Sequence, residues 1–393
     1  MKRFSPILFL VVFSTSALLT QAQFTGNTSG SVSFSRPITN APGYPFLYSL
    51  SAGDLNGDGI PDLAVTATID GSALSYALGA GDGMLKSWSY ANAASLPAFV
   101  LLADVNGDGN LDALTSDGNF GFIEIDFGDG HGDFPSSTSV NTVYFDGPLA
   151  VADLNKDGIA DIVGTFYSGG TGYPGGVAVV LGTGHGIFGP ERHFGSGGVN
   201  PVAFAVGDLN HDGIPDLVVA NNGSRPSFGS VTVMIGRGDG TFLPPVRYNA
   251  GEYPSSIAIG DFNGDGILDV AVTDTRKVYI LLGNGDGTLS AAKGYWGGIS
   301  PGPVVAADFN GDGKLDLAVV NFLSTSDQVS VLLGNGDGTF QAPRHFPTGG
   351  TGSYQMVVAD FNVDGKPDLA TVNYVSGNIS VLLNITAFPG EKP

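Results

Sequence analysis

This chain is organised around the sequence DFNGDGILD, residues 261–269. Its first, third, fifth and ninth residues can each offer a side-chain oxygen, and its seventh residue can offer a backbone carbonyl. Oxygen donors of this kind are the ligands that calcium prefers. The glycine at the sixth position permits the sharp turn that such a loop needs. The stretch therefore predicts a calcium-binding loop.

The same pattern, Asp-x-Asn-x-Asp-Gly-x-x-Asp, occurs seven times along the chain. The copies begin at Asp54, Asp104, Asp153, Asp208, Asp261, Asp308 and Asp360. Successive copies start 47 to 55 residues apart, and periods of this size are typical of propellers and solenoids. The chain is therefore a repeat protein.

The predicted metal ligands occupy the first, third, fifth, seventh and ninth positions of each loop, with the seventh acting through its carbonyl. They are Asp54, Asn56, Asp58, Ile60, Asp62, Asp104, Asn106, Asp108, Asn110, Asp112, Asp153, Asn155, Asp157, Ile159, Asp161, Asp208, Asn210, Asp212, Ile214, Asp216, Asp261, Asn263, Asp265, Ile267, Asp269, Asp308, Asn310, Asp312, Lys314, Asp316, Asp360, Asn362, Asp364, Lys366 and Asp368. The fourth position is glycine in four copies and Lys156, His211 or Val363 in the other three. Those three loops are expected to bind calcium more weakly if this position requires a positive φ.

Two other calcium motifs are excluded by the sequence. An EF-hand needs a carboxylate at its twelfth position, and the twelfth residues here are Val65, Thr115, Gly164, Val219, Val272, Val319 and Thr371. A calcium-binding β-helix repeats every nine residues or so, far less than the period observed. One alternative stays open, namely that Asp and Asn only shape turns through local hydrogen bonds.

Each period contains four short runs of β-branched or aromatic residues. In the sixth period they are residues 304–307, 317–320, 329–333 and 339–346, and glycine turns separate them. This pattern indicates strands and has no helical period. Four strands per period form one propeller blade. We therefore predict an all-β fold, a seven-bladed β-propeller with four antiparallel strands per blade.

The two ends of the repeat array complement one another. The seventh period stops near residue 384 without a fourth strand, whereas residues 32–37 resemble a fourth strand that precedes the first period. Pairing this N-terminal strand with the last blade would close the ring and bury two exposed edges. The predicted domains are a signal peptide at 1–22, the propeller at 23–387 and a tail at 388–393.

The N-terminus and the composition indicate export. Lys2 and Arg3 precede an apolar run at 7–19, and small residues follow up to Ala22, which is typical of a secretory signal peptide. An uncleaved anchor is the alternative, and no later stretch is long enough to span a membrane. The chain has no cysteine for disulfides, so bound metal is the expected substitute for such cross-links. We expect a secreted or cell-surface protein.

The charge of the chain is concentrated in the loops. The formal net charge is −21, and the seven loops, with three aspartates each, hold 21 of the 37 acidic residues. The acidity therefore indicates capacity for metal ions, and the lack of basic stripes argues against nucleic-acid partners.

These acidic loops, recurring in seven blades, resemble the FG-GAP (VCBS-type) repeats of bacterial secreted proteins and of the integrin α-subunit propeller. In that family the loop joins the first and second strands of a blade and binds calcium structurally. The resemblance implies up to seven calcium ions, one per blade, held by the positions given above. It implies no particular binding partner, because the family hosts many functions.

The face opposite the calcium loops is the predicted binding face, because its loops are longer and more varied. The candidate residues there are Tyr167, Tyr173, Arg225, Phe228 and Tyr253. Aromatic side chains of this kind stack on sugars or anchor protein partners. We expect a monomeric binding or adhesion module for an extracellular protein or glycan. The alternatives are a polysaccharide lyase or hydrolase on a propeller scaffold, and a structural cell-surface protein.

Overall fold

The computed structural model describes residues 31–44, 46–67, 73–92, 97–117, 121–142, 147–166, 175–223, 228–322, 327–389 and 391. These residues form seven four-stranded antiparallel sheets, each of which is one blade. The seven-bladed all-β propeller predicted from the sequence is thus confirmed. Within the described residues, no helix is long and apolar enough to cross a membrane. The predicted signal peptide at 1–22 lies outside the described residues.

The strands of the first four blades follow one another in chain order. They are β2 (Leu47–Gly53), β3 (Asp62–Ala67), β4 (Ala73–Ala77) and β5 (Ser89–Asn92) in blade 1; β6 (Pro97–Ala103), β7 (Asp112–Asp117), β8 (Phe122–Phe127) and β9 (Ser136–Asn141) in blade 2; β10 (Leu149–Ala152), β11 (Asp161–Phe166), β12 (Gly176–Val180) and β15 (Arg192–Gly195) in blade 3; and β16 (Pro201–Gly207), β17 (Asp216–Asn221), β18 (Ser230–Met234) and β19 (Val246–Tyr248) in blade 4. In blade 3 a small extra hairpin is formed by β13 (Gly182–Gly184) and β14 (Ile187–Phe188).

The last three blades have the same layout, and the seventh takes its fourth strand from the start of the chain. They are β20 (Ser256–Gly260), β21 (Asp269–Thr273), β22 (Val278–Leu281) and β23 (Lys293–Tyr295) in blade 5; β24 (Pro301–Ala307), β25 (Asp316–Asn321), β26 (Gln328–Leu332) and β27 (Arg344–Pro347) in blade 6; and β28 (Ser353–Ala359), β29 (Asp368–Asn373), β30 (Asn378–Leu382) and β1 (Ile38–Asn40) in blade 7.

The N-terminal segment closes the last blade, as predicted, but its regular strand is Ile38–Asn40 and not residues 32–37. β1 pairs antiparallel with β30, with Ile38 opposite Val381. The regular pairing begins just after Pro37, which has no N–H to donate, while Phe34 makes a separate bridge to Asn384. The first strand of each blade also contacts the first strand of the next, from β2 around to β28 and back to β2. These strands therefore form a closed inner ring.

Burial decreases from the inner to the outer strands. β11 and β17 are buried along their whole length, whereas most of β9 and β15 is exposed. The second strand lies between two strands of its own sheet and between two neighbouring blades, so both of its faces pack in the core. One apolar cluster, for example, joins blades 5 and 6. The packing between blades is therefore the core of the protein.

Candidate functional site

All seven predicted loops lie within the described residues. Each connects the first strand of a blade to the second, and in blade 5 the loop lies between the end of β20 and the start of β21. The residue at the second position of every loop is buried between blades; these residues are Leu55, Val105, Leu154, Leu209, Phe262, Phe309 and Phe361. The loops are thus anchored in the core by one apolar side chain each.

The loop backbone has positive φ at two positions. The sixth-position glycines have φ between 73° and 91°, as the sharp turn requires. The fourth position is also left-handed, with φ of 62° at Lys156, 60° at His211 and 57° at Val363. The condition stated for these three loops, a positive φ, is therefore met. Weaker calcium binding at them stays a prediction.

The first aspartate of each loop holds the turn together. In blade 5, Asp261 Oδ1 accepts the N–H of Gly264 at 2.7 Å, and Oδ2 accepts the N–H of Gly266 at 2.8 Å. The bond to the sixth N–H recurs in all seven loops at 2.7 to 2.9 Å. The first aspartate of each loop thus shapes the turn through local hydrogen bonds, which is the role that the alternative to calcium binding assigned to these residues.

The third and fifth side chains meet on the solvent side of the loop. Asn263 lies 2.9 Å from Asp265, measured from Nδ2 to Oδ2. Asp265 Oδ1 accepts the N–H of Ile267 at 2.8 Å, and the same bond occurs in every loop. The fifth carboxylate therefore lies beside both the third side chain and the seventh residue, which are further predicted ligands.

The ninth aspartate makes a connection that sequence reasoning missed. Asp269 is fully buried, and its two oxygens accept the N–H of Phe262 at 2.9 Å and of Gly283 at 2.8 Å. Gly283 begins the turn after the third strand of the same blade. The equivalent aspartates of the other six blades make the same two kinds of bond. This residue ties the loop to the neighbouring turn.

Burial raises the pKa of every ninth aspartate, while the backbone N–H groups that it accepts lower that pKa. The pKa is about 6 for Asp62, Asp112, Asp161, Asp216 and Asp269, about 7 for Asp368, and well above the usual range for Asp316. The negative charges of the first and fifth aspartates raise it further. Three carboxylates are thus crowded together, a situation that a bound cation would relieve.

The donors present in each loop fit a hard cation in their chemistry. Carboxylates at the first, fifth and ninth positions, an amide at the third and a backbone carbonyl at the seventh are all oxygen donors. In the part of the chain that the structure describes, no group of three or more acidic or histidine side chains forms a metal cluster. The ninth aspartate, like the first, has both oxygens within hydrogen-bond distance of backbone N–H groups, and its role as a calcium ligand stays a prediction.

The loops also connect adjacent blades. The carbonyl of Leu55 in the blade 1 loop accepts the N–H of Gly132, which lies in the turn after the third strand of blade 2, at 3.0 Å. Equivalent bonds join Gly240 to Leu154 at 3.2 Å and Gly338 to Phe262 at 2.9 Å. A fourth such bond joins Gly83 to Phe361 at 3.2 Å, so four of the glycine-rich turns are bonded to the loop of the preceding blade.

The blade 6 loop is partly covered by the end of the chain. The ring of Phe388 packs against Gly311, and the ammonium group of Lys366 lies 5.2 Å from the centre of that ring. Asn310 is only 1% exposed, whereas the equivalent Asn56 is half-buried. Burial also raises the pKa of Asp308, the first aspartate of this loop.

On the opposite face, the structure describes two of the five predicted binding residues. Tyr167, Tyr173 and Arg225 lie outside the described residues. Phe228 is 62% exposed, and Tyr253 is half-buried. Their segments meet, because the N–H of Gly229 donates to the carbonyl of Glu252 at 2.8 Å.

An aromatic cluster on this face was missed in the sequence. It consists of Phe46, Tyr48, Phe322, Tyr354 and Tyr374. Tyr48 and Tyr354 are the second residues of β2 and β28, and Phe322 and Tyr374 follow β25 and β29 closely. The recurrence of aromatic residues at equivalent positions of adjacent repeats could therefore have revealed the cluster from the sequence. These strand ends lie opposite the acidic loops.

The sequence profile of the FG-GAP-like repeat matches residues 54–115, 208–272, 261–319 and 308–371. No curated protein gives a significant match. Among solved structures, a lectin from Agrocybe aegerita is 22% identical, covering 87% of this chain and 94% of that one, with a TM-score of 0.54. That lectin is described as specifically recognising non-reducing terminal N-acetylglucosamine.

Two further structures share the fold at lower identity. The Vibrio cholerae biofilm matrix protein Bap1 is 13% identical, covering 96% of this chain and 91% of that one, with a TM-score of 0.51. BBS1N, in a complex with ARL6DN, is 13% identical, covering 90% of this chain and 100% of that one, with a TM-score of 0.58. The structural likeness shows the fold alone, while the repeat profile covers more than half of the chain. The chain belongs to the FG-GAP-like repeat family.

Proposed function

We propose that this protein is an exported binding module for an extracellular glycan or protein, and that calcium ions in its loops stabilise the ring of blades. The observation that carries this proposal is the crowding of three aspartates per loop beside the junction between two blades. Export rests on the sequence of residues 1–22, and calcium on the chemistry of the loop donors.

Calcium would be held by the side chains of the first, third, fifth and ninth loop residues and by the carbonyl of the seventh. It would supply positive charge where the carboxylates repel one another. The loop already contacts its own blade through the ninth aspartate and the next blade through its second carbonyl. An ion at this point would therefore stiffen the junctions between blades and hold the opposite face in a defined shape.

A binding role is supported by the family and by the fold neighbours. The structures that share its fold include a lectin and a biofilm matrix protein. We infer that the FG-GAP-like propeller of this chain is likewise a scaffold for binding. The face away from the acidic loops carries exposed aromatic residues such as Phe228 and Tyr354, and aromatic side chains are enriched at recognition sites. A binding module accounts for these features without a catalytic group.

Thermal unfolding in calcium and in chelator tests the structural role of the metal. Extracellular calcium sites have dissociation constants of roughly 10⁻⁴ to 10⁻³ M. At about 10 mM calcium, each occupied site would then add about 1.4 to 2.7 kcal/mol to the free energy of unfolding. We expect a large fall in melting temperature in chelator and its recovery on adding calcium, with magnesium as the control. An unchanged melting curve in excess chelator would refute the role of calcium.

Arrays of glycans and extracellular proteins, probed with and without calcium, test the binding role. We expect retention of the protein on a defined subset of spots, weakened by chelator because the metal-free propeller is less rigid. Turnover of an arrayed polysaccharide would favour the enzyme alternative instead. Failure to bind any glycan or protein on the arrays would contradict the binding module.

A further inference from the structure

The aromatic cluster on the face opposite the acidic loops gathers side chains from blades 6, 7 and 1. The ring centres of Tyr48 and Tyr374 are 5.0 Å apart, those of Tyr48 and Tyr354 are 5.9 Å apart, and those of Tyr354 and Tyr374 are 6.0 Å apart. Phe46 lies 5.1 Å from Tyr374, and Phe322 lies 6.5 Å from Tyr354. The five rings thus form one continuous cluster.

The cluster is open to solvent. Tyr354 is 54% exposed, Phe46 is 45% exposed and Phe322 is 37% exposed. The spacing of the rings leaves no room for a group to enter between Tyr48 and Tyr374, so the cluster presents a surface and does not enclose a cage. A ligand would therefore stack on the rings from outside.

The cluster is uncharged in a strongly acidic chain. Residues 40–50, 319–322, 350–357 and 372–380, which carry the five rings, contain no Asp, Glu, Lys or Arg, although the chain has 37 acidic residues. Asp327 hydrogen-bonds the N–H of Ser353 beneath this surface, but its side chain is buried. An anionic or cationic ligand would thus find no complementary charge in these segments, and a neutral ligand is favoured.

Three of the five rings, those of Tyr48, Tyr354 and Tyr374, carry phenol hydroxyls. A hydrogen bond with Tyr48 raises the pKa of Tyr374, and desolvation and charge interactions with Tyr48 and Tyr354 raise it further. A purely apolar partner would bury these hydroxyls and leave hydrogen-bonding capacity unsatisfied, at a cost in free energy. A sugar ring offers both C–H faces for the aromatic rings and hydroxyls for the phenols.

We propose that Tyr354, Tyr374 and Phe46, with Tyr48 and Phe322 beside them, form a carbohydrate-binding surface for a neutral glycan. This inference rests on the proposed binding function and names the ligand class and the site. The ring faces stack against pyranose rings, and the clustered phenols exchange hydrogen bonds with the sugar hydroxyls.

Binding of neutral hexasaccharides to the full chain in calcium tests this inference. The probes are cellohexaose, mannohexaose and chitohexaose, with hexagalacturonate as the anionic comparison and a neutral-glycan array for breadth. We expect Tyr354→Ala to weaken binding of the preferred neutral probe by roughly tenfold, since it removes an exposed stacking ring. Tyr374→Phe keeps the ring and removes one hydroxyl, so it should weaken binding about threefold to tenfold.

Tyr90→Ala is the matched control, because Tyr90 is also half-exposed and paired with another tyrosine, Tyr44, but on the fourth strand of blade 1. It should leave affinity unchanged. Tyr354→Phe, which retains the ring and removes one hydroxyl, separates lost stacking from misfolding of the alanine variant, and it should weaken binding about threefold, less than Tyr354→Ala does.

Three results would overturn the inference: no binding to any neutral glycan on the array, stronger binding to hexagalacturonate, or neutral-glycan binding that survives both Tyr354→Ala and Tyr374→Phe. The third result would leave the proposed binding module standing and remove only this site. Binding to an arrayed protein alone would likewise retain the module and exclude a carbohydrate surface. The proposed function itself fails only if neither class of ligand binds.

Discussion

Replacing Val363 by glycine should stabilise the protein. Val363 occupies the fourth position of the blade 7 loop with φ of 57°, and its side chain is 57% exposed. The same position is glycine in four loops, where φ lies between 71° and 80°. A β-branched residue in this region is a conformational outlier, because its Cβ crowds the backbone. The loop thus holds valine in a conformation that suits glycine.

The size of the effect follows from two opposing contributions. A left-handed conformation costs an L-residue about 1 to 2 kcal/mol, with a β-branched residue at the upper end. Glycine loses more backbone entropy on folding, which costs about 0.4 to 1 kcal/mol. Little burial is lost because the side chain is mostly exposed. We therefore expect Val363→Gly to raise the free energy of unfolding by about 1 kcal/mol.

Denaturant unfolding in chelator measures this effect without any contribution from bound metal. Gly57→Val is the matched control, because Gly57 has φ of 73° and no atom within 4 Å of an added Cβ. That substitution involves the same two contributions with opposite sign and should destabilise the protein by about 1 kcal/mol. If Val363→Gly is destabilising, or Gly57→Val has no effect, the assignment of strain at this position is wrong.

Two further predictions concern buried aspartates. Asp216→Ala should destabilise the protein by about 2 to 5 kcal/mol in chelator, because it leaves two backbone N–H groups without an acceptor. Denaturant unfolding measures this loss. Asp239→Ala, in an exposed turn, is the control and should be nearly neutral. Burial raises the pKa of Asp126 to about 7, with help from the charge of Glu124, and its Oδ2 has no hydrogen-bond partner among the described residues. The folded chain then binds the proton more tightly, so the stability that this group contributes is present below about pH 4 and lost as pH rises to 7. Asp126→Asn should unfold at higher denaturant than the unmodified chain at pH 8 and with a weaker pH dependence; equal pH profiles would contradict this.

The repeated loop made most of the fold predictable from the sequence. Seven copies of one motif gave the number of blades, and the alternation of β-branched runs with glycine turns gave four strands in each. The unpaired run at residues 32–37 indicated ring closure, and the closure is made just beyond it, where β1 pairs with β30. These predictions succeeded because each depends on a local sequence pattern that recurs in every repeat. A strand that is unclear in one repeat can therefore be assigned by comparison with the other repeats.

The connections made by the loops could not be read in the same way. Asp269 looks like one more ligand in the sequence, yet its burial and its bond to Gly283 depend on how the third strand returns to the loop. The aromatic cluster was missed for a similar reason. Tyr48 and Tyr354 are more than 300 positions apart in the sequence, and only closure of the ring brings their blades together.

The acidic loops are better understood as joints between blades than as isolated metal sites. Each loop is bonded to its own blade by the ninth aspartate and, where Leu55 meets Gly132, to the next blade by its second carbonyl. The repulsion among its carboxylates is therefore located at the joint itself. Protons relieve that repulsion at acid pH, since the pKa of Asp62 is about 6, but they are lost near neutrality. Calcium would then supply the positive charge, and stiffer joints would hold the aromatic surface spanning blades 6, 7 and 1 in a defined shape.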